Sequence, residues 1–204
     1  MNNLAGMYVV AKQQDKARQL FDEAAQRIEE QQFVHANADQ IIHNTIFAFE
    51  DAREFEQALI WRRKWLTHVG KTAGVESTLY AGELASLGLS LLQQKKWSEA
   101  KTELRECLVI REKSQPNEWT TFRTQSLLGG SLLGQEKYGE AEPLLLAGYE
   151  GIKKQENAIP PAARIRLNEA IDRLIELYAA TGKPDELKKW QIEREKLGTT
   201  LDKF

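Results

Sequence analysis

The chain has 204 residues, of which 42% are apolar and 28% charged, with a formal net charge of −2. It is too apolar for a disordered chain. It also lacks the concentrated positive charge needed to grip nucleic acid or an anionic membrane surface. A single cysteine, Cys107, excludes an internal disulfide framework and fits a cytoplasmic, reducing location.

The opening stretch MNNLAGMYVVAK is briefly apolar but has no basic residue before it, so it reads as a helix and not as a signal peptide. No apolar run approaches the roughly 20 residues needed to span a bilayer. Alternating strand patterns are absent, and apolar residues recur at helical spacing. The spacing predicts helices over about 2–12, 15–31, 36–52, 55–70, 77–94, 97–113, 118–135, 138–156, 162–181 and 184–198. Pro143 falls in the first turn of the helix beginning near Tyr138, where proline is tolerated. Short polar turns such as Arg53-Glu54 and Gln135-Glu136-Lys137 join the helices within pairs and force them antiparallel. The connectors between pairs are longer, and Glu156 to Ala163 is the most irregular of them.

The helical hairpin therefore repeats. Ala17, Ala58, Ala100, Ala141 and Leu187 stand in the same local setting, with gaps of 41, 42, 41 and 46 residues. A period of this size marks a solenoid array. The chain reads as one domain over 1–204, with units over about 1–34, 35–75, 76–116, 117–158 and 159–198. Because it opens inside the first helix motif with no capping segment, it reads as a fragment of a longer protein. The uncapped first unit offers a face for self-association. In units three and four, Gly88 and Gly129 are expected to face Ala100 and Ala141, letting the helix axes approach closely.

Motifs for chemistry are weak. Gly70-Lys71-Thr72 ends like a phosphate loop, but Trp65 stands where the first glycine is needed and no strand precedes it. The histidines His35, His43 and His68 have no cysteine or clustered carboxylate to complete a ligand set, so no metal is expected. Cys107 falls on a small packed position and reads as an inert thiol. The stretch Ile60-Trp61-Arg62-Arg63-Lys64-Trp65-Leu66 reads as a packed aromatic stripe with snorkelling cations. No catalytic residues, enzyme activity or cofactor are expected.

Leu4, Ala5, Tyr8, Ala17, Phe21 and Ala24 follow a large, small, aromatic, then alanine, aromatic, alanine spacing. Leu87, Gly88, Leu91, Ala100, Leu104 and Cys107 repeat it, as do Leu128, Gly129, Leu132, Ala141, Leu145 and Gly148. The pattern resembles the tetratricopeptide repeat. The unit length near 42 is similar to the long repeats of kinesin light chains and of many bacterial proteins. Units three to five also resemble tetratricopeptide tails of bacterial serine/threonine kinases and similar signalling proteins.

The resemblance implies an all-α, right-handed α-solenoid of about five antiparallel helix pairs. It also implies a non-enzymatic protein–protein interaction scaffold that binds an extended or helical peptide in its concave groove. A structural or self-assembly element and a regulatory tail of a signalling enzyme are the alternatives. In such a scaffold the first helix of each pair lines the groove. Carried over position by position, the groove residues are Asn2, Asn3, His43, Asn44, Phe47, Glu50, Ser86, Leu89, Gln93, Arg123, Ser126, Leu133 and Arg173, with Ala85, Leu127 and Gly130 beside them. Asn3 and Asn44 match the asparagines that grip a peptide main chain, because an amide both donates and accepts. With only Arg123 and Arg173 basic at these positions, no clamp for a terminal carboxylate is expected. The partner is a protein or peptide, with neither nucleic acid nor membrane.

Overall fold

A computed structural model describes residues 1–201, the side chains of residue 162 and of 198–201 excepted. It is built from α1 (Asn2–Val10), α2 (Gln14–Glu30), α3 (Ala38–Asp51), α4 (Phe55–Thr72), α5 (Thr78–Gln93), α6 (Trp97–Ser114), α7 (Trp119–Leu133), α8 (Tyr138–Lys154), α9 (Ile165–Ala180) and α10 (Pro184–Leu201). The irregular connector before α9 folds into two short 3-10 turns, Glu156–Ala158 and Pro161–Ala163. Cα packing divides the chain into two compact units, Met1–Glu83 and Leu84–Phe204, with the boundary inside α5.

Each hairpin turn uses the same backbone device. Lys12, Arg53, Lys95, Glu136 and Gly182 all take a left-handed conformation, with φ between 57° and 64°. They recur at the spacing of the small sites, five residues before each one. The next residue's N–H reaches back to close the cap, as in Gln13 to Tyr8 O (2.9 Å), Lys96 to Leu91 O (2.9 Å) and Lys137 to Leu132 O (2.9 Å). The left-handed residue's N–H bonds the next carbonyl along, as in Lys95 to Leu92 O (3.0 Å). This is the Schellman ending, which satisfies two orphan carbonyls of the first helix. Four of the five positions are not glycine, and each costs about 1 kcal/mol of backbone strain. The two hydrogen bonds, at about 1 kcal/mol each, offset it.

The second helices then begin with an acid in the first turn: Asp15, Glu56, Glu99, Glu140 and Asp185. Negative charge there complements the helix dipole. In α2 the residues Ala17, Phe21, Ala24, Ala25 and Ile28 form one buried stripe. By contrast α1 is apolar beyond its two opening asparagines, yet only Ala5 is buried.

In the second unit the small residues mark close helix crossings, but against different partners from those expected. A Cβ on Gly88 would lie 2.5 Å from Leu104 Cγ, and one on Gly129 would lie 2.7 Å from Leu145 Cγ. Ala100 and Ala141 are buried one turn earlier. Helical side chains lean toward the N-terminus, so the leucine one turn on covers the glycine. A mid-helix glycine costs about 0.5–1 kcal/mol, whereas burying a leucine contributes about 1.5–3 kcal/mol, so the insertion wins. On α8, Gly148 lets the α7 backbone approach: its Cβ would meet Ser126 N at 2.7 Å and Phe122 O at 2.8 Å. Pro143 sits inside α8, past the first turn in which it was expected.

In the first unit the α3–α4 pair solves the same crossing with bulk. Ile46 is buried at the small site, and Trp61 and Trp65 are buried beside it. Arg62 reaches Glu50 of α3 with a forked pair, Nε to Oε1 at 3.0 Å and Nη2 to Oε2 at 3.1 Å. The basic residues of the stripe do snorkel: Lys64 lies 4.6 Å from the Trp61 ring centroid and bonds Glu29 at 2.6 Å.

Candidate functional site

In the first unit, the predicted groove residues of α1 and α3 fall into three groups. Asn44 and Asn2 meet, with Asn44 Nδ2 donating to Asn2 Oδ1 at 3.1 Å, while Asn3 is exposed. Phe47 is 67% exposed, a large apolar ring left in water. Glu50 faces α4 and holds Arg62.

His43 has the most distinctive setting. Its Nδ1 lies 2.7 Å from Asp39 Oδ1, one turn back, and its Nε2 lies 3.3 Å from Glu83 Oε1 on α5. Two ring nitrogens can both donate only in the imidazolium form. The hydrogen bond to Glu83 raises the His43 pKa above 6.5, opposed by partial burial and helped by the charges of Glu83 and Asp39. The three residues offer ligand atoms within 4.8 Å of one another, a donor set with metal-ligating chemistry. The Trp65 ring closes one side, 6.1 Å away edge-on.

In the second unit, Ser86 and Leu89 on α5 are half-buried and Gln93 is exposed. Two predicted groove residues are buried instead: Ser126 is 0% exposed and Leu133 lies in the hydrophobic core. Ala85 and Leu127 are buried as well. For the α7 residues the reason is the position of that helix, which packs against α6, α8 and α9. Arg173 of α9 lies across Gly130, its Cδ 3.0 Å from where a Cβ would stand, and its Nη1 donates to Ser126 Oγ at 3.2 Å.

Arg123 is half-buried on the same face, its Nε buried without a hydrogen-bond partner among the described residues. Burial first, then the charge of Arg166, lowers the Arg123 pKa to about 10. Cys107 is fully buried, and burial pushes its thiol pKa up, as an inert thiol requires.

The outer helices carry a cleft of about 930 Å³ lined by Tyr149, Tyr178 and Trp190. Tyr178 donates to Glu142 at 2.9 Å, and Lys183 bonds the same carboxylate at 3.1 Å. Tyr149 and Lys153 hold Glu193 in the same way. Burial pushes both tyrosines up to about 12. The hydrogen bond from Tyr178 lowers Glu142, and that from Lys153 lowers Glu193. None of these four groups titrates near neutrality, where an acid–base catalyst must work.

Residues 1–30 match the tetratricopeptide-repeat family model. The whole chain superposes on the nearly identical TPR-like repeats of a Podosopora anserina kinesin light chain, with a TM-score of 0.74 at 15% identity over 100% of this chain and 95% of that one. The fold is a tetratricopeptide-repeat solenoid. The chain is also similar to BtubC from P. vanneervenii, with a TM-score of 0.75 at 15% identity over 98% of this chain and 79% of that one. RapI in its apo form aligns with a TM-score of 0.62 at 16% identity over 98% of this chain and 83% of that one. No curated protein matches the sequence.

Glu83 and Arg166 escaped the sequence reading. The available signal was register, because first helices of adjacent TPR units place residues roughly one period apart side by side. Asn2 and Asn44 are 42 residues apart, and Ser126 and Arg173 are 47 apart.

His43 sets a pH dependence. Its pKa is raised in the folded state, so its contribution is fully present below about 6.5 and is lost as pH rises through the raised value. Because the ring is partly exposed, the loss is below about 1 kcal/mol. Urea midpoints measured by circular dichroism are expected to fall across that window in the wild type. The fall flattens in Glu83→Gln, and an unchanged slope in that variant would contradict the assignment.

Proposed function

We propose that the chain is a non-enzymatic interaction scaffold whose ligand is an extended or helical segment of another protein, bound along the first helices of its pairs. The observation that carries this reading is the surface of α1 and α3. Asn3 and Phe47 stand exposed there, an amide and a ring that a peptide main chain and an apolar side chain would cover. A solenoid supports the reading because stacked repeats present extended binding surfaces. Fold alone does not name the ligand, so the site chemistry must. A cytoplasmic location belongs to the same reading and is supported by the single cysteine of the sequence, Cys107, which leaves no internal disulfide to form.

The test uses a partner recovered by pull-down with the array as bait. Replacing Asn3 and Asn44 together by alanine is expected to weaken that partner about tenfold, the loss of one or two main-chain hydrogen bonds, with an unchanged circular dichroism spectrum. Wild-type affinity in the double variant would move the site elsewhere.

A second reading, self-association, is favoured by α1 itself. Met7 is 68% exposed and Val10 85% exposed, on a helix that is apolar from Leu4 onward. Helices of that kind are normally covered. Light scattering over a concentration series is expected to show dimers that Met7→Lys dissociates, whereas a strict monomer removes this reading.

A further inference from the structure

Buried charge in the second unit is unbalanced where α7 packs on α9. Arg166 and Arg173 are seven residues apart on α9 and share a face, with Glu169 between them. Arg123 faces them from α7, one turn before Ser126. The Glu169 carboxylate is taken by Arg166. Arg173 spends its Nη1 on neutral oxygens, Ser126 Oγ at 3.2 Å and the Glu169 carbonyl at 3.1 Å. Arg123 leaves its Nε buried with no hydrogen-bond partner among the described residues. Behind it, Arg111 is buried and donates only to the neutral Thr120 O and Thr124 Oγ1, at 2.6 and 2.7 Å. Of the other acids near Arg173, Asp172 is engaged by Arg194 at 2.8 Å and Glu176 is exposed.

Three guanidinium groups thus have one carboxylate, Glu169, set among them, while Glu176 and Asp172 act on Arg173 through their charge from the exposed side. Burying a charge without a counter-charge is costly, and the like-charge crowding at Arg123 adds to the cost. An arginine fork fits an oxyanion with two parallel N–H···O bonds. The three arginines remain partly open to solvent, so a ligand can reach them.

We infer that the α7–α9 face around Arg123, Arg166 and Arg173 is an oxyanion site whose ligand is a doubly charged group of the phosphate class. The crowding of positive charge at Arg123 fits a phosphate monoester, which carries −1.5 to −2 near neutrality. The site lies on first helices and so deepens the scaffold reading. Its test uses no peptide, so the two can fail separately.

The probe is inorganic phosphate, titrated calorimetrically at mildly alkaline pH and constant ionic strength, with acetate as the monovalent comparison. Saturable phosphate binding is expected, at least about tenfold tighter than acetate. Arg123→Gln is expected to weaken phosphate by about tenfold or more. The same variant, free of phosphate, should melt about 2–4 °C higher than wild type, because it removes an unpaired buried cation. A structural arginine would give the opposite sign. Arg166→Gln, nearer the surface, provides the same affinity loss should Arg123→Gln not fold. No saturable binding, equal affinity for acetate, or undiminished phosphate binding in the variant would each overturn the site.

Discussion

The second unit depends on one contact made twice: a leucine of the second helix seated where the first helix has a glycine. Leu104 over Gly88 and Leu145 over Gly129 leave no room for a methyl group. Each seat sets how closely a hairpin closes. On α8, Gly148 and Gly151 extend the closeness to the α7 backbone and to the Phe122 ring. Tight closure has a consequence for function. It draws α7 among α6, α8 and α9, so that its polar residues Thr121, Thr124, Ser126 and Ser131 are buried with it. Those hydroxyls then hold arginines, Thr124 the buried Arg111 and Ser126 the half-buried Arg173.

The first unit has no such seat. Bulk replaces it, with Ile46, Trp61 and Trp65 filling the crossing and the Arg62–Glu50 fork tying α3 to α4. Trp61 spends its indole N–H on Asp22 at 2.9 Å, and Trp65 stacks on His68 with centroids 5.1 Å apart. Polar side chains of the first helices there stay nearer solvent, including Asn3 and the His43 bridge to Glu83. The two halves thus reach the same hairpin by different means and expose different chemistry: amides and an apolar ring in one, guanidinium groups in the other.

Helix positions were legible because apolar periodicity and polar turns are local signals. The left-handed turn residues were not, since only Gly182 carries the glycine that advertises such a backbone. The glycine sites were legible, but their partners were displaced by one turn, because side-chain lean is invisible in spacing alone. Ser126 and Leu133 read as groove residues by register, yet α9 covers α7 and buries them. His43 read as a lone histidine because Glu83 stands on the next first helix. The arginine cluster was half-visible: Arg123 and Arg173 occupy expected positions, while Arg111 and Arg166 lie outside them. What the sequence hides in each case is a contact between elements, not an element.

The central claim is that the glycine and the leucine act as one unit. A double-mutant cycle on Gly88 and Leu104 tests it most directly, with stabilities from urea unfolding. Leu104→Ala alone is expected to cost about 2–5 kcal/mol, and Gly88→Ala alone about 1–3 kcal/mol from overpacking. In the double variant the small leucine replacement makes room for the new methyl, so the combined cost should fall short of the sum by about 1 kcal/mol or more. Additive costs would mean that the two residues do not share a seat, and the account of hairpin closure would be wrong.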